Sequence, residues 1–285
     1  MFGHPGDLAK AATFYAITFA LALIVALLPL GDDGSLPQML SMLAPSVAVL
    51  IMMMVVTRDG RSRDAWRGLG LHRAGWRLWS AAFLGPVVLL LAAYAVVWAT
   101  SLADPALPGA PLGGVTVDTL MNFAVVLVFA TTEEIGWRGY LLPRLMGLGV
   151  ARATLLTGLL HGVYHLPLLL LTPFYHGSGS PLLVVPLFLL SLTLAGPIYG
   201  YLRLATGSVW PAAIAHTALN TTWNLLAKLT VAASPLAVEY LAGESGLLPL
   251  LGYAAVAGWC LYRMPGAPRR SAEAAPPASA AAATS

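Results

Sequence analysis

T-T-E-E-I-G-W-R-G-Y-L-L-P-R, Thr131 to Arg144, decides how this chain must be read. It follows the apolar run Val115–Ala130 without a turn signal, so Glu133 and Glu134 continue a helix that has already entered a bilayer. One carboxylate at the centre of a spanning helix costs about 3 kcal/mol by insertion scales, and here two stand side by side. On a helix, Glu134 and Arg138 stand four apart on one face and can pair. Glu133 stands four before Trp137, so one carboxylate has a cation beside it and the other an indole. Unlike surroundings divide an acid role from a base role between two neighbouring carboxylates. The competing reading is a helix end emerging into water with its charges solvated, because Arg138 and Arg144 mark an approaching interface.

The rest of the composition favours the bilayer. Of 285 residues 58% are hydrophobic and only 9% charged, with a mean hydropathy of +0.79. A soluble globular domain carries about a quarter charged residues. These numbers predict an all-α, polytopic membrane bundle. The basic balance is no nucleic-acid signature, since the arginines sit between apolar spans rather than on one basic face. The single cysteine, Cys260, excludes an internal disulfide and a cysteine metal cluster, and reads as a small hydrophobe.

Spans of about 20 apolar residues fall near 9–30, 37–57, 78–100, 115–135, 152–172, 181–203, 208–230 and 246–263, about eight transmembrane helices in all. Ala11–Leu30 is too long for a signal-peptide core and reads as a retained first span. Basic residues orient the bundle: the loop after the second span holds Arg58, Arg61, Arg63, Arg67, Arg73 and Arg77, whereas the first outer loop holds Asp32 and Asp33. All of the 15 basic residues except Arg138 and Lys228 then lie inside. A cell-membrane protein is expected, in a bacterium at the inner membrane, with both termini cytoplasmic. Arg58–Arg77, with Trp66, Trp76 and Trp79 near it, reads as an interfacial topology anchor. The outer loops Ser101–Val115 and Leu171–Pro181 are connectors. The domain division is a membrane domain over 1–263, with its polar core over 130–225, and a disordered cytoplasmic Ala/Pro/Ser tail over 264–285.

Two further spans carry polar groups. In G-L-L-H-G-V-Y-H-L-P, His161 and His165 share a helical face, Gly158 and Gly162 admit a neighbouring helix, and Pro167 loosens the helix beside the histidines. In W-P-A-A-I-A-H-T-A-L-N-T-T-W-N, His216, Asn220 and Asn224 form a stripe. Counted at 1.5 Å per residue from the inner helix ends, Glu133 and His165 lie about 20 Å deep and His216 about 13 Å. Taken singly, His161 and Asn224 read as interhelical hydrogen bonds. Together, paired carboxylates, histidines and an asparagine at one depth describe a reaction site. A polar layer nearer the outer surface, which transport would require, is not evident in the sequence.

The pattern resembles the CPBP family of intramembrane proteases, also called the Abi or CAAX-protease family, whose eukaryotic members include type II CAAX prenyl endopeptidases. E-E-I-G-W-R fits its EExxxR motif. H-G-V-Y-H-L-P fits its aromatic-xxx-His motif, with His161 in the aromatic slot. A-H-T-A-L-N fits HxxxN. The resemblance covers roughly the third to seventh spans. It implies an endopeptidase that cleaves a polypeptide substrate in the bilayer. It further implies Glu133 as the general base for a water held by His165, with His216 and Asn220 donating to the oxyanion and Glu134 and Arg138 in support. Amide hydrolysis without a nucleophilic Ser or Cys needs just such a base and such donors. Glu133, His165 and His216 could alternatively hold a zinc ion. The absence of an HExxH helix favours a metal-independent site. The alternatives are a non-catalytic scaffold or immunity-type protein of the same fold, against which the intact motifs count, and a proton-coupled transporter.

Overall fold

A computed structural model describes residues 5–30, 34–107, 109, 111–172, 180–232 and 234–264. The tail over 265–285 and most of the outer loop after Leu171 lie outside these residues. The chain is an all-α polytopic helical bundle. Its elements are α1 (Pro5–Leu27), α2 (Ser35–Ile51), α3 (Arg63–Gly68), α4 (Trp79–Ala99), α5 (Leu112–Glu134), α6 (Leu142–Leu145), α7 (Val150–Tyr164), α8 (Leu166–Leu171), α9 (Pro181–Thr206), α10 (Trp210–Lys228), α11 (Pro235–Leu241) and α12 (Leu247–Arg263). The strands among the described residues are two short ones, β1 (Ala103–Pro105) and β2 (Thr230–Ala232), paired antiparallel at one end of the bundle.

Among the described residues six helical stretches are long and apolar enough to cross a membrane: Gly6–Leu27, Ser35–Val56, Trp76–Ala99, Leu112–Leu148, Val150–Leu171 and Pro181–Thr206. The seventh and eighth expected spans fall on α10, which carries the polar stripe, and α12, a shorter apolar helix of 17 residues, and neither is among these six. α10 packs inside the bundle against α4 and α5, whereas α12 lies against α9 with Leu251, Trp259 and Tyr262 exposed. The chain is therefore a multi-pass membrane protein.

Two local distortions position the polar core. After Glu134 the helix widens into a π-helical turn over Ile135–Leu141 before α6 resumes. Pro143 has no N–H to give the carbonyl one turn back, which disturbs the regular ladder at this point. On α2, Pro45 leaves the Ser41 carbonyl without its helical donor, and the Tyr164 hydroxyl donates to it instead. The Ser46 hydroxyl donates to the Thr132 carbonyl (2.6 Å), and Thr132 Oγ1 donates to that of Met42 (2.8 Å). These bonds fix α2 to α5 just ahead of the paired glutamates.

Gly158 of α7 and Gly196 of α9 sit face to face, and a Cβ on Gly158 would collide with the backbone of Leu192. The close approach expected of the small residues in this span is thus made with α9. The loop 58–77 does more than lie at an interface. Arg203 of α9 donates to the carbonyls of Gly68 (2.8 Å) and Arg138 (3.1 Å), while Arg77 donates to that of Ala205 (2.9 Å). The loop is clamped across the α9–α10 turn and under the π-helical segment.

Candidate active site

Glu133, Glu134 and Arg138 are completely buried. A charge so placed must be paired, since its desolvation otherwise costs several kcal/mol. Arg138 Nη1 donates to Glu134 Oε1 at 2.9 Å, and the guanidinium lies over the Tyr199 ring, 4.7 Å from its centre. His216 Nδ1 stands 3.1 Å from the same Glu134 oxygen, and its Nε2 stands 3.8 Å from Glu133 Oε2. The other face of the His216 ring stacks on Tyr199, centre to centre 6.0 Å. Glu134 thus pairs with the guanidinium along its own helix and reaches α10 through the His216 imidazole.

Glu133 is held from α7. His161 Nε2 lies 3.1 Å from Glu133 Oε2, and His161 Nδ1 lies 3.4 Å from Arg138 Nη1. A guanidinium can only donate, so Nδ1 accepts and the ring proton sits on Nε2, from which it donates to Glu133. Trp137 stacks on His161 at 4.8 Å with an interplanar angle of 29°. This corrects the sequence expectation that Trp137 faces Glu133, because the π-helical turn carries the indole onto the neighbouring helix. His165 stands at the α7–α8 junction, with its Nε2 3.4 Å from that of His161. Asn220 lies one turn along α10 from His216, and its Oδ1 has no hydrogen-bond partner among the described residues. The same holds for Glu133 Oε1 and Glu134 Oε2.

The fold therefore gathers Glu133, Glu134, Arg138, His161, His165 and His216, while Asn220 stays one turn away. Sequence reasoning set His161 apart as an interhelical hydrogen bond; it in fact touches the candidate base. Tyr199, between Arg138 and His216, went unnoticed, since one more aromatic in an apolar span carries no signal. Phe188 packs edge-on against His165 at 5.5 Å and lines a cavity of about 360 Å³ bounded also by Tyr94, Trp223 and Glu244. Burial raises the Glu244 carboxyl above its ordinary range, and the charge of His216 partly lowers it again.

The donor atoms of Glu133, His161 and His165 lie within 4.8 Å of one another, so His161 takes the place that the sequence reading gave to His216 in a metal set. Separations of 3.1 and 3.4 Å suit ligands about 2.0–2.1 Å from a tetrahedral zinc. The hydrogen bonds do not suit it. A metal-bound histidine donates its other N–H to an acceptor, and here that nitrogen faces a guanidinium. Binding through Nε2 would leave an imidazole with no proton on either nitrogen. The residues present do not fit a metal at this position.

A buried cluster of two carboxylates, an arginine and three histidines within a multi-pass helical bundle is what fold and site define together. Residues 114–222 match the family described as type II CAAX prenyl endopeptidase Rce1-like. The matched window runs from α5 into α10 and contains all three motifs, and it is consistent with the CPBP/CAAX-protease family. No curated protein matches the chain. The match supports a CAAX-type intramembrane protease at the family level.

Proposed function

We propose that the chain is an endopeptidase that hydrolyses a peptide bond inside the membrane with a water activated by Glu133, without a metal. The observation that carries this reading is the division of labour between the two carboxylates. Glu134 Oε1 is paired with the Arg138 guanidinium as well as His216, whereas the groups that approach Glu133 Oε2 are the imidazoles of His161 and His216, so a fixed cation holds Glu134 and not Glu133. In the reaction Glu133 Oε1 takes a proton from water, with His165 orienting that water, and the hydroxide adds to the scissile carbonyl. His216 Nε2 donates to the developing oxyanion while Nδ1 stays bonded to Glu134. Two buried carboxylates facing one arginine leave room for one more positive charge, which an imidazolium at His216 supplies. Asn220 is the second donor. Glu133 then returns its proton to the leaving amine.

The substrate is a polypeptide whose apolar segment occupies the cavity beside Phe188 and His165. The protein resides in the cell membrane with both termini cytoplasmic. Nothing in the polar core resembles the degenerate site of a scaffold, since base, donors and supporting pair are all present.

Comparing membranes that hold wild-type protein with membranes that hold Glu133→Gln identifies the substrate as the protein that accumulates uncut. Glu133→Gln and His216→Ala abolish its cleavage at near-normal expression. Asn220→Ala loses about 10²–10³-fold in turnover, as expected for one oxyanion donor. Metal-stripped protein retains full activity. Cleavage that persists in Glu133→Gln refutes the mechanism, and activity lost to a chelator and restored by zinc refutes its metal independence.

A further inference from the structure

Away from the paired glutamates, α5 and α10 enclose a second cavity of about 250 Å³, lined by Asp118, Asn122, Thr221, Asn224 and Lys228 among others. Asn224 is legible in the sequence as part of the α10 stripe, but its meeting with Asp118 and Asn122 is not, because the two helices lie more than 90 residues apart and come together only in the fold. At its mouth Asp118 and Lys228 are exposed, and at its base Thr221 is buried, 6% exposed. Thr221 Oγ1 and Asn122 Oδ1 have no hydrogen-bond partner among the described residues, and neither does Asn220 Oδ1 one residue before Thr221. Buried polar atoms left so are satisfied in folded proteins by water. The volume is many times the 10–15 Å³ or so that one water needs, and the walls offer several polar partners.

The cavity also points at the site. Along α10, Thr221 adjoins Asn220, which stands one turn from His216. Along α5, Asn122 and Glu133 are eleven residues apart, hence within about 20° of the same helical face. A hydrolase enclosed by apolar helices consumes a water each turnover, and lipid supplies none. We propose that the α5–α10 cavity is a hydrated inlet, opening at the end of the bundle opposite the 58–77 loop, that delivers water past Thr221 and Asn220 to Glu133. This rests on the hydrolytic reading of Glu133 for its use, although the hydration itself does not.

Two measurements separate those parts. In the full-length protein, Thr221→Cys and Asn224→Cys are treated with the cationic, water-soluble reagent 2-aminoethyl methanethiosulfonate, with buried native Cys260 as internal reference. Hydration is expected to make both introduced thiols react at least about tenfold faster than Cys260, since the reagent needs a solvated thiolate. Reaction no faster than Cys260 overturns the inlet whatever the enzyme does. Thr221→Val and Asn122→Leu, which dry the cavity while leaving the catalytic groups in place, are then assayed on a peptide that wild-type protein cleaves. Each lowers kcat by about tenfold with KM unchanged, and Thr221→Val leaves thermal stability unchanged because its hydroxyl serves no protein partner. Unaltered kcat overturns the role in water supply. Proton flux into proteoliposomes that Glu133→Gln blocks would make the cavity a translocation path and overturn the proposal equally. Cleavage surviving Glu133→Gln strikes the hydrolytic reading alone, and the labelling result stands apart from it.

Discussion

At the residue scale the informative position is His161. An imidazole occupies a slot that the motif fills with an aromatic, and it does two things a phenyl ring cannot: it accepts from Arg138 and donates to Glu133. We expect it to hold the base in one rotamer and leave Oε1 free for water. His161→Phe keeps the stacking on Trp137 but loses the donor, so kcat falls by about 10–100-fold, within the range by which positioned hydrogen bonds alter a proton transfer. KM should stay unchanged. His161→Gln, which can still donate to Glu133 and accept from Arg138, recovers most of the rate. Equal activity in the Phe and wild-type proteins would reduce His161 to a wall residue. Arg138 makes the complementary point. Its removal strands Glu134, a completely buried carboxylate, so Arg138→Ala should cost about 3–5 kcal/mol and lower the amount of folded protein along with activity. Wild-type abundance and thermal stability in that variant would count against the structural role of the pair.

The elements of this bundle approach one another closely at glycine and deviate from ideal helix at proline. Gly158 meets the α9 backbone with no space for a side chain. Because α7 carries His161 and His165, a shift of α7 away from α9 moves both imidazoles relative to Glu133. Gly158→Val should therefore lower thermal stability by several degrees and reduce cleavage more than the stability change alone explains, since a misplacement of about 1 Å can cost 10²-fold in rate. A variant with lowered stability and intact cleavage would show that α7 moves without its histidines. The π-helical turn over Ile135–Leu141 acts in the same register. It lets Glu134 and Arg138 stay paired at 2.9 Å while Trp137 swings onto α7.

At the scale of the whole molecule, the arginine-rich loop 58–77 and the C-terminal end of α9 meet at one end of the bundle, and the β1–β2 pair lies near the α4 and α10 ends opposite. Reporter fusions after Arg67 and after Arg270 should report the cytoplasm, and one near Asp33 the outside; Asp33 and Arg67 on one side would undo the topology. The sequence by itself determined the class of fold and which polar residues lie within the membrane spans. Apolar spans with few charges admit only helices in a bilayer, because each backbone polar group must be satisfied within its own segment. Two adjacent carboxylates, two histidine motifs and their common depth follow from linear spacing at 1.5 Å per residue. Partnership did not follow. That His161 rather than His216 sits closest to Glu133, that Tyr199 lies between Arg138 and His216, and that Asn122 and Thr221 share a cavity are facts of how helices rotate and cross. A helical repeat gives the face a residue occupies, but which helix that face meets is set by packing, here by Gly158 against α9 and by the proline-disturbed turns at Pro45 and Pro143. Only the tertiary structure decides such contacts, because they join residues up to 90 or more positions apart whose approach no local preference encodes.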